Sequence, residues 1–194
     1  MLPFRQIRFL INITRTQGIM RRYFVVNGFD GALTMLGLLM GFIVSQTADL
    51  SVVITACLGA AIALGVSGVS SAYVSERAES RHALSKLQSA MLSDLQQSAH
   101  RQAAQWVPVI TALINGAAPL VISLLIISPV VMAHIGLPLF MPPLLLAIII
   151  ALCLIFLLGV FLGRIADISW LRSGLQTLLV ALFTMLLIYL IAGG

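Results

Sequence analysis

The chain alternates between long apolar runs and short polar stretches. Five predominantly apolar runs cover roughly 24–45, 51–73, 107–129, 142–162 and 174–192. An α-helix rises about 1.5 Å per residue, so crossing the hydrocarbon core of a bilayer, about 30 Å thick, takes about 20 apolar residues. Each run is long enough for one crossing. The pattern therefore predicts an all-α integral membrane protein with five transmembrane helices.

Composition supports a membrane environment. Of the 194 residues, 60% are hydrophobic and only 9% are charged, whereas an average soluble domain is about 45–50% apolar and about 25% charged. So few charges cannot cover the surface of a soluble domain. The net charge of +5 does not indicate a nucleic-acid partner, because the basic residues sit between apolar runs and are not interleaved with aromatic residues. The lipid bilayer is the expected partner.

The basic residues are segregated along the chain. Of the 11 lysines and arginines, five precede the first run, four lie between the second and third runs, and two lie between the fourth and fifth. Cytoplasmic loops of membrane proteins carry the excess of Lys and Arg. This rule places the N-terminus in the cytoplasm and the C-terminus outside. We expect the plasma (inner) membrane of a prokaryote, with a eukaryotic vacuolar membrane as the alternative.

The polar segments divide the chain into four parts. In residues 1–22, apolar residues recur at helical spacing opposite arginines, which predicts an amphipathic helix on the cytoplasmic interface; a disordered basic tail is the alternative. Residues 23–74 hold the first two transmembrane helices. Residues 75–105 contain no Gly or Pro and predict a short cytoplasmic helical hairpin. Residues 106–194 hold the last three transmembrane helices.

Asp30 is the most informative residue, because it places a carboxylate about two turns inside the first apolar run. An ionised acid near the bilayer centre costs about 2.5–3.5 kcal/mol on insertion scales, so it is usually paired, hydrated or facing a polar cavity. Asn27 and Thr34 share its helical stripe, and Gly37 and Gly41 continue the line at helix-packing spacing. We expect this face to meet another helix closely, with Asn27 and Thr34 lining an ion pathway. The alternative is that Asp30 snorkels to the interface beside the preceding arginines.

Polar residues of the second and third runs are candidates to complete this pathway. The second run is built almost wholly of small residues, with Ser67 and Ser71 on one face, and the third places Asn115 one turn before Pro119. Small residues let helices approach closely, which makes the second run a plausible partner for the first. A proline frees the backbone carbonyl one turn earlier, and such a carbonyl is available to coordinate an ion. Such residues more commonly form hydrogen bonds between helices. The sequence leaves both roles open for Ser67, Ser71 and Asn115.

Three potential metal ligands follow the second run. Glu76, Glu79 and His82 are spaced three residues apart, so they project from nearly one side of a helix. A mixture of oxygen and nitrogen ligands suits Mn²⁺ and Fe²⁺. Glu76 and Glu79 are therefore candidate metal ligands at the cytoplasmic mouth. The competing interpretation is a solvated helix face on which Arg77 and Arg81 neutralise the carboxylates.

Four segments resemble the vacuolar iron transporter family of divalent metal transporters. They are NGFDGALTMLGLLMG at 27–41, SAYVSERAES at 71–80, NGAAPL at 115–120 and GRIADISWLRSGLQTLL at 163–179. The resemblance implies a five-span fold, a symmetric homodimer with the first spans at the shared axis, and proton-coupled export of Fe²⁺ or Mn²⁺ from the cytoplasm. It also implies that Asp30 is the intramembrane metal ligand.

The sequence departs from this family pattern at two places. The family's second-span methionine aligns with Gly68 and its following glutamate with Ala72, and the glutamate-rich cytoplasmic domain is reduced to a short segment. The leading hypothesis is a secondary transporter of a divalent metal, with no enzymatic activity and no permanently bound cofactor. The alternative is a non-transporting interaction or regulatory protein that retains the transporter fold. The missing ligands favour this alternative, whereas Asp30 opposes it.

Overall fold

The computed structural model describes residues 17–47, 49–91 and 99–192, and over these ranges the chain is all-helical with no strand. The five helices are α1 Gln17–Val44, α2 Leu50–Met91, α3 Ala99–His134, α4 Pro143–Ile165 and α5 Trp170–Ala192. All five are long and apolar enough to cross a membrane. The predicted all-α architecture with five membrane-spanning helices is thus confirmed at the level of length and composition. The amphipathic helix predicted within residues 1–22 lies mostly outside the described residues.

Helices α2 and α3 are much longer than the apolar runs that predicted them. α2 continues beyond residue 73 to Met91, and α3 begins at Ala99 instead of residue 107. No Gly or Pro interrupts this part of the chain, so nothing breaks either helix where the apolar sequence ends. Residues 92–98, which connect α2 to α3, lie outside the described residues, so the predicted hairpin turn stays a prediction.

The centre of the bundle is formed by α1 and α3. α3 packs extensively on α2 and α1, while α1 also packs on α4 and α5 and has few contacts with α2. Within a single chain α3 is therefore the main partner of α1, and α2 makes a smaller contact with it. The fully buried side chains come mainly from the central helices and α4; the largest are Met35, Leu36, Leu39, Ile126, Ile127 and Ile155.

The direction of each helix follows from its contacts. Asn27 and Gly31 of α1 meet Asn115 and Pro119 of α3 in the same order, so α1 and α3 run parallel. Between α2 and α3 the order is reversed, because Gly65 approaches Leu120 while Gly68 approaches Asn115. α1 and α3 therefore run one way and α2 the other, as expected of consecutive crossings.

Close helix contacts occur at glycines other than those predicted. A Cβ added to Gly31 would lie 2.8 Å from the Cα of Pro119, closer than real Cβ atoms approach. At Gly37 a Cβ would make only an ordinary contact of 3.6 Å with Ile188, and at Gly41 it would meet nothing within 4 Å. Within one chain, Gly37 and Gly41 do not mediate the predicted close helix packing. Their role between two copies stays a prediction.

Candidate functional site

A hydrogen-bonded polar chain joins α1, α2 and α3 in the interior of the bundle. The Nδ2 of Asn27 on α1 donates to the Oδ1 of Asn115 on α3. The Nδ2 of Asn115 in turn donates to the backbone carbonyl of Gly68 on α2 at 2.8 Å. Asn115 is only 4% exposed, so these bonds lie where the surroundings offer few competing partners. One asparagine thus ties three helices together.

Tyr23 places a second interhelical hydrogen bond, between α1 and α2, beside this polar chain. The Nδ2 of Asn27 also donates to the backbone carbonyl of Tyr23 at 3.0 Å, and the Tyr23 hydroxyl donates to the Oε1 of Glu76 at 2.9 Å. Tyr23 was not singled out from the sequence, although its position one turn before Asn27 is the signal that places it on the same side of α1. Tyr23 thus contacts Asn27 through its backbone carbonyl and Glu76 through its hydroxyl, and its aromatic ring separates the two hydrogen bonds.

Glycines at the α2–α3 contact bring Asn115 this close to Gly68. A Cβ added to Gly68 would lie 3.1 Å from the backbone oxygen of Asn115 and 3.1 Å from the Cα of Gly116. Pro119 has no N–H, so it cannot donate to the Asn115 carbonyl four residues earlier. Both the freed carbonyl and the side-chain amide of Asn115 therefore face Gly68. A side chain at position 68, where the resembled family has a methionine, would therefore press tightly against the backbone of α3.

Asp30 lies on a different side of α1, in a shallow apolar groove of about 150 Å³ between α1, α4 and α5. Besides Asp30, the lining has one polar side chain among the described residues, that of Thr177, and its hydroxyl donates to the Gly174 carbonyl at 2.9 Å. No hydrogen bond or ion pair to the Asp30 carboxylate is found in the described parts of the chain. Asp30 is exposed at the surface of the single chain.

The position of Asp30 along α1 can be compared with the two predictions for it, an intramembrane site or a side chain that snorkels to the interface beside the arginines. α1 spans Gln17–Val44, so Asp30 lies near its midpoint. A rise of 1.5 Å per residue puts Asp30 about 12 Å along the helix axis from Arg22. No ion pair joins Asp30 to this arginine among the described residues, and the interpretation in which Asp30 snorkels to the interface stays an alternative.

The structure separates the polar stripe predicted on α1. Asn27 faces α3, Asp30 faces the groove beside α4 and α5, and the Thr34 hydroxyl donates to the Asp30 backbone carbonyl at 2.7 Å. Ser67 and Ser71 are exposed on α2, and the Ser71 hydroxyl donates weakly to the Gly68 carbonyl at 3.4 Å. Asn27 and Asn115 are thus brought together, whereas Asp30 and Ser67 stay outside this polar chain.

The predicted metal ligands do not form one cluster within the chain. Glu76 is half-buried and accepts from Tyr23, while Glu79 and His82 are exposed. Nowhere in the described residues do three His, Cys, Asp or Glu side chains stand close enough together to hold a metal ion. A metal site that includes Asp30 therefore needs ligands from beyond these side chains of one chain.

Two buried hydroxyls on α3 were also missed from the sequence. Thr111 and Ser123 are completely buried, and within the described structure their oxygens have no hydrogen-bond partner. An unpaired buried hydroxyl costs about 1–3 kcal/mol, so such groups usually bond to an ordered water or a ligand. Thr111 lies one turn before Asn115, and this spacing is the signal that could have identified it. The α3 interior therefore has spare hydrogen-bonding capacity next to the polar chain.

Comparison with known proteins identifies one relative. The uncharacterized protein MJ0645 of Methanocaldococcus jannaschii is 32% identical over 173 residues, which cover 88% of this chain and 87% of that protein. The chain belongs to the same family as MJ0645. The relationship extends over nearly the full length of both chains and does not rest on one shared segment. No protein-family model matches the chain. Nor does any solved structure match it.

Proposed function

We propose that this protein is a secondary transporter that exports Fe²⁺ or Mn²⁺ from the cytoplasm in exchange for protons. The observation that carries the proposal is Asp30, a carboxylate at the midpoint of a membrane-length helix, in a groove with no charged partner among the described residues. Such a group is costly to keep ionised in a membrane, so intramembrane acids mark ion and proton pathways.

Exchange of metal for protons follows if either a divalent cation or protons neutralise the Asp30 carboxylate. We propose a symmetric homodimer in which the two Asp30 carboxylates hold one divalent cation between them. When the cation leaves, protons take its place on the same oxygens, because an ionised acid is disfavoured in apolar surroundings. Carboxylate oxygens suit Mn²⁺ and Fe²⁺, whereas Cu⁺ prefers sulfur ligands. Competition between metal and protons at one site then couples the two movements.

A polar chain lies on the other side of α1 from the Asp30 groove and supplies polar groups between α1, α2 and α3. Glu76, Tyr23, Asn27 and Asn115 are linked by hydrogen bonds, and the buried Thr111 hydroxyl adds an unused polar group one turn away on α3. We propose that these groups, with Thr34, Ser67 and Ser71, hydrate the pathway, and that Glu76 and Glu79 attract the cation at its cytoplasmic mouth. The resemblance to vacuolar iron transporters supports the same assignment.

We also propose how the protein sits in the membrane. The N-terminus and the α2–α3 connection face the cytoplasm of a prokaryotic cell, and the C-terminus faces outside, because all 11 basic residues lie in segments on the cytoplasmic side of this arrangement. The Gly37 and Gly41 face of α1 is the proposed dimer contact. Gly41 supports this, because no described residue lies within 4 Å of a Cβ built at that position.

A second candidate function is a non-transporting interaction or regulatory protein with the same fold. The observation that favours it is the α2–α3 contact, where Gly68 and the buried Ala72 occupy the positions of the methionine and glutamate of the resembled family. Neither residue has a side chain that binds metal. This candidate predicts no metal flux under any gradient.

Reconstitution of the purified protein into liposomes distinguishes the two candidates. Liposomes that enclose a metal-sensitive dye should report Mn²⁺ or Fe²⁺ entry only when a pH gradient of the correct direction is applied. Asp30→Asn should keep the fold and abolish this flux, because the amide preserves shape and hydrogen bonding but cannot hold the charge. Asp49→Asn is the matched control, since Asp49 is an exposed acid between α1 and α2. If the parent protein moves neither metal under either gradient, the transporter proposal fails and the second candidate replaces it.

A further inference from the structure

A cavity of about 470 Å³ lies between α2 and α3. Its lining comes from the C-terminal half of α2 and the first turns of α3, where the basic residues of both helices are found. It is distinct from the Asp30 groove and shares no lining residue with it. Both helices contribute to the lining, which consists of Tyr73, Arg77, Arg81, Leu84, Arg101, Ala104 and Gln105.

The spacing of the α2 residues explains why their side chains reach one cavity. Tyr73, Arg77 and Arg81 follow one another at intervals of four, so they lie on one stripe of the helix. The Nη1 of Arg77 donates to the Tyr73 hydroxyl, and the guanidinium carbon lies 5.4 Å from the centre of the Tyr73 ring. Tyr73 therefore positions the Arg77 guanidinium by a hydrogen bond and a cation–π contact.

The cavity concentrates positive charge. Arg77 and Arg81 both line it from α2, and none of its seven described lining residues is an acid. The nearby Glu76 is directed to Tyr23 on α1 instead. Arginines that share a cavity repel one another, so a bound anion stabilises the arrangement. The planar guanidinium donates two parallel hydrogen bonds to the oxygens of a phosphoryl group, and this geometry makes arginine the preferred residue for such anions.

We propose that this cavity is a binding site for a phosphoryl group, supplied by the headgroup of an anionic lipid or by a free phosphate. Trp106 follows Gln105 directly and is 45% exposed, and tryptophan is enriched at the level of lipid headgroups in membrane proteins. Leu84 adds an apolar wall to the cavity. The site shares no lining residue with the Asp30 groove, and its proposal does not rest on metal transport.

Thermal unfolding of the purified full chain in neutral detergent tests this proposal. Tryptophan fluorescence reports the unfolding midpoint while phosphatidylglycerol is titrated into the micelles, with phosphatidylcholine as the neutral control. In parallel, inorganic phosphate is titrated against chloride at matched ionic strength. A ligand that binds the folded protein raises the midpoint in proportion to its saturation. A response to phosphatidylglycerol alone identifies a lipid headgroup as the source, and a response to phosphate identifies a free anion.

Two double variants give the test its specificity. Arg77→Gln with Arg81→Gln should lower the apparent affinity for the active probe by about tenfold or more, because charge-assisted hydrogen bonds are lost. Arg164→Gln with Arg172→Gln removes the same charge from exposed positions outside the cavity, so it should retain the parental affinity. Equal loss in both variants, an unchanged affinity of the cavity variant, or no response of the parent to either probe would overturn the proposal.

Leu84→Glu provides a variant that keeps every arginine, should the first cavity variant fail to fold. It introduces a carboxylate into the cavity lining, which would compete with the phosphoryl group for the guanidinium groups. The apparent affinity should again fall about tenfold. If the affinity of Leu84→Glu equals that of the parent, the anion binds elsewhere.

Discussion

The side-chain amide of Asn115 on α3 donates to the backbone carbonyl of Gly68 on α2 at 2.8 Å, while the backbone carbonyl of Asn115 lies against the same glycine. Both polar groups of one residue thus meet a neighbouring backbone where no side chain intervenes. The contact requires Gly68 and Gly116, because a Cβ at either position would enter the opposite helix. The contact is tighter at Gly116, where a Cβ would collide with the Gly65 carbonyl, than at Gly68, where a Cβ would lie 3.1 Å from the Asn115 backbone oxygen.

Replacing Asn115 with alanine should destabilise the protein by about 1–3 kcal/mol. The substitution leaves the Asn27 amide and the Gly68 carbonyl without their shared partner, and interhelical hydrogen bonds in membranes are worth about 0.6–2 kcal/mol each. Equilibrium unfolding in mixed micelles with increasing denaturing detergent measures the change. Thr184→Ala is the control, because the Thr184 hydroxyl bonds only within its own helix, to the Val180 carbonyl. Equal stability of both variants would contradict the bridging role of Asn115.

Gly116→Ala should destabilise the protein, although it adds only one methyl group. The new methyl group would collide with the Gly65 carbonyl and would lie 3.0 Å from the backbone nitrogen of Val69, so α2 and α3 would have to separate. Such overpacking costs about 1–3 kcal/mol. Gly59→Ala on α2 meets open space and should be neutral or slightly stabilising, because alanine favours helix by up to about 1 kcal/mol over glycine. Thermal unfolding of the two variants side by side checks the difference.

The proposed orientation makes a direct prediction for reporter fusions. A reporter inserted near Asp49 or His134, or fused at the C-terminus, should be accessible from outside, and one inserted near Ser89 or Ser169 should be cytoplasmic. The reason is the confinement of all 11 basic residues to the N-terminus and two of the connecting segments. A C-terminal reporter found in the cytoplasm would rule out five crossings with this orientation.

Cysteine crosslinking tests the proposed dimer. In a background where the native Cys57 and Cys153 are replaced, Gly37→Cys or Gly41→Cys should form a disulfide between two copies in the membrane. Leu39→Cys should not, because Leu39 is fully buried within its own chain.

An exposed position on α5 serves as the competing site in the same experiment. Leu182 is 47% exposed, and crosslinking through Leu182→Cys without crosslinking at Gly37 or Gly41 would place the dimer contact on α5. The Gly37 and Gly41 face would then be wrong as the interface, although Asp30 would keep its position in the apolar groove.

The sequence by itself predicted the five membrane-length helices found in the described residues and singled out the unusual polar residues. Long apolar runs impose helices, because the backbone must satisfy its hydrogen bonds internally in lipid. A carboxylate such as Asp30 is conspicuous within such a run, and Asn115 is identified by its place one turn before Pro119.

Only the tertiary structure decided which helices meet at these residues. Helical periodicity places Asn27 and Asp30 near one face, yet Asn27 bonds to Asn115 on α3 while Asp30 opens onto the groove beside α4 and α5. The link from Tyr23 to Glu76 and the arginine cavity likewise depend on how α2 packs against its neighbours. The physical reason is that an apolar helix face has a similar free energy against lipid and against another helix. The choice of partner helix therefore depends on close contacts at glycines and on hydrogen bonds between residues far apart in the sequence.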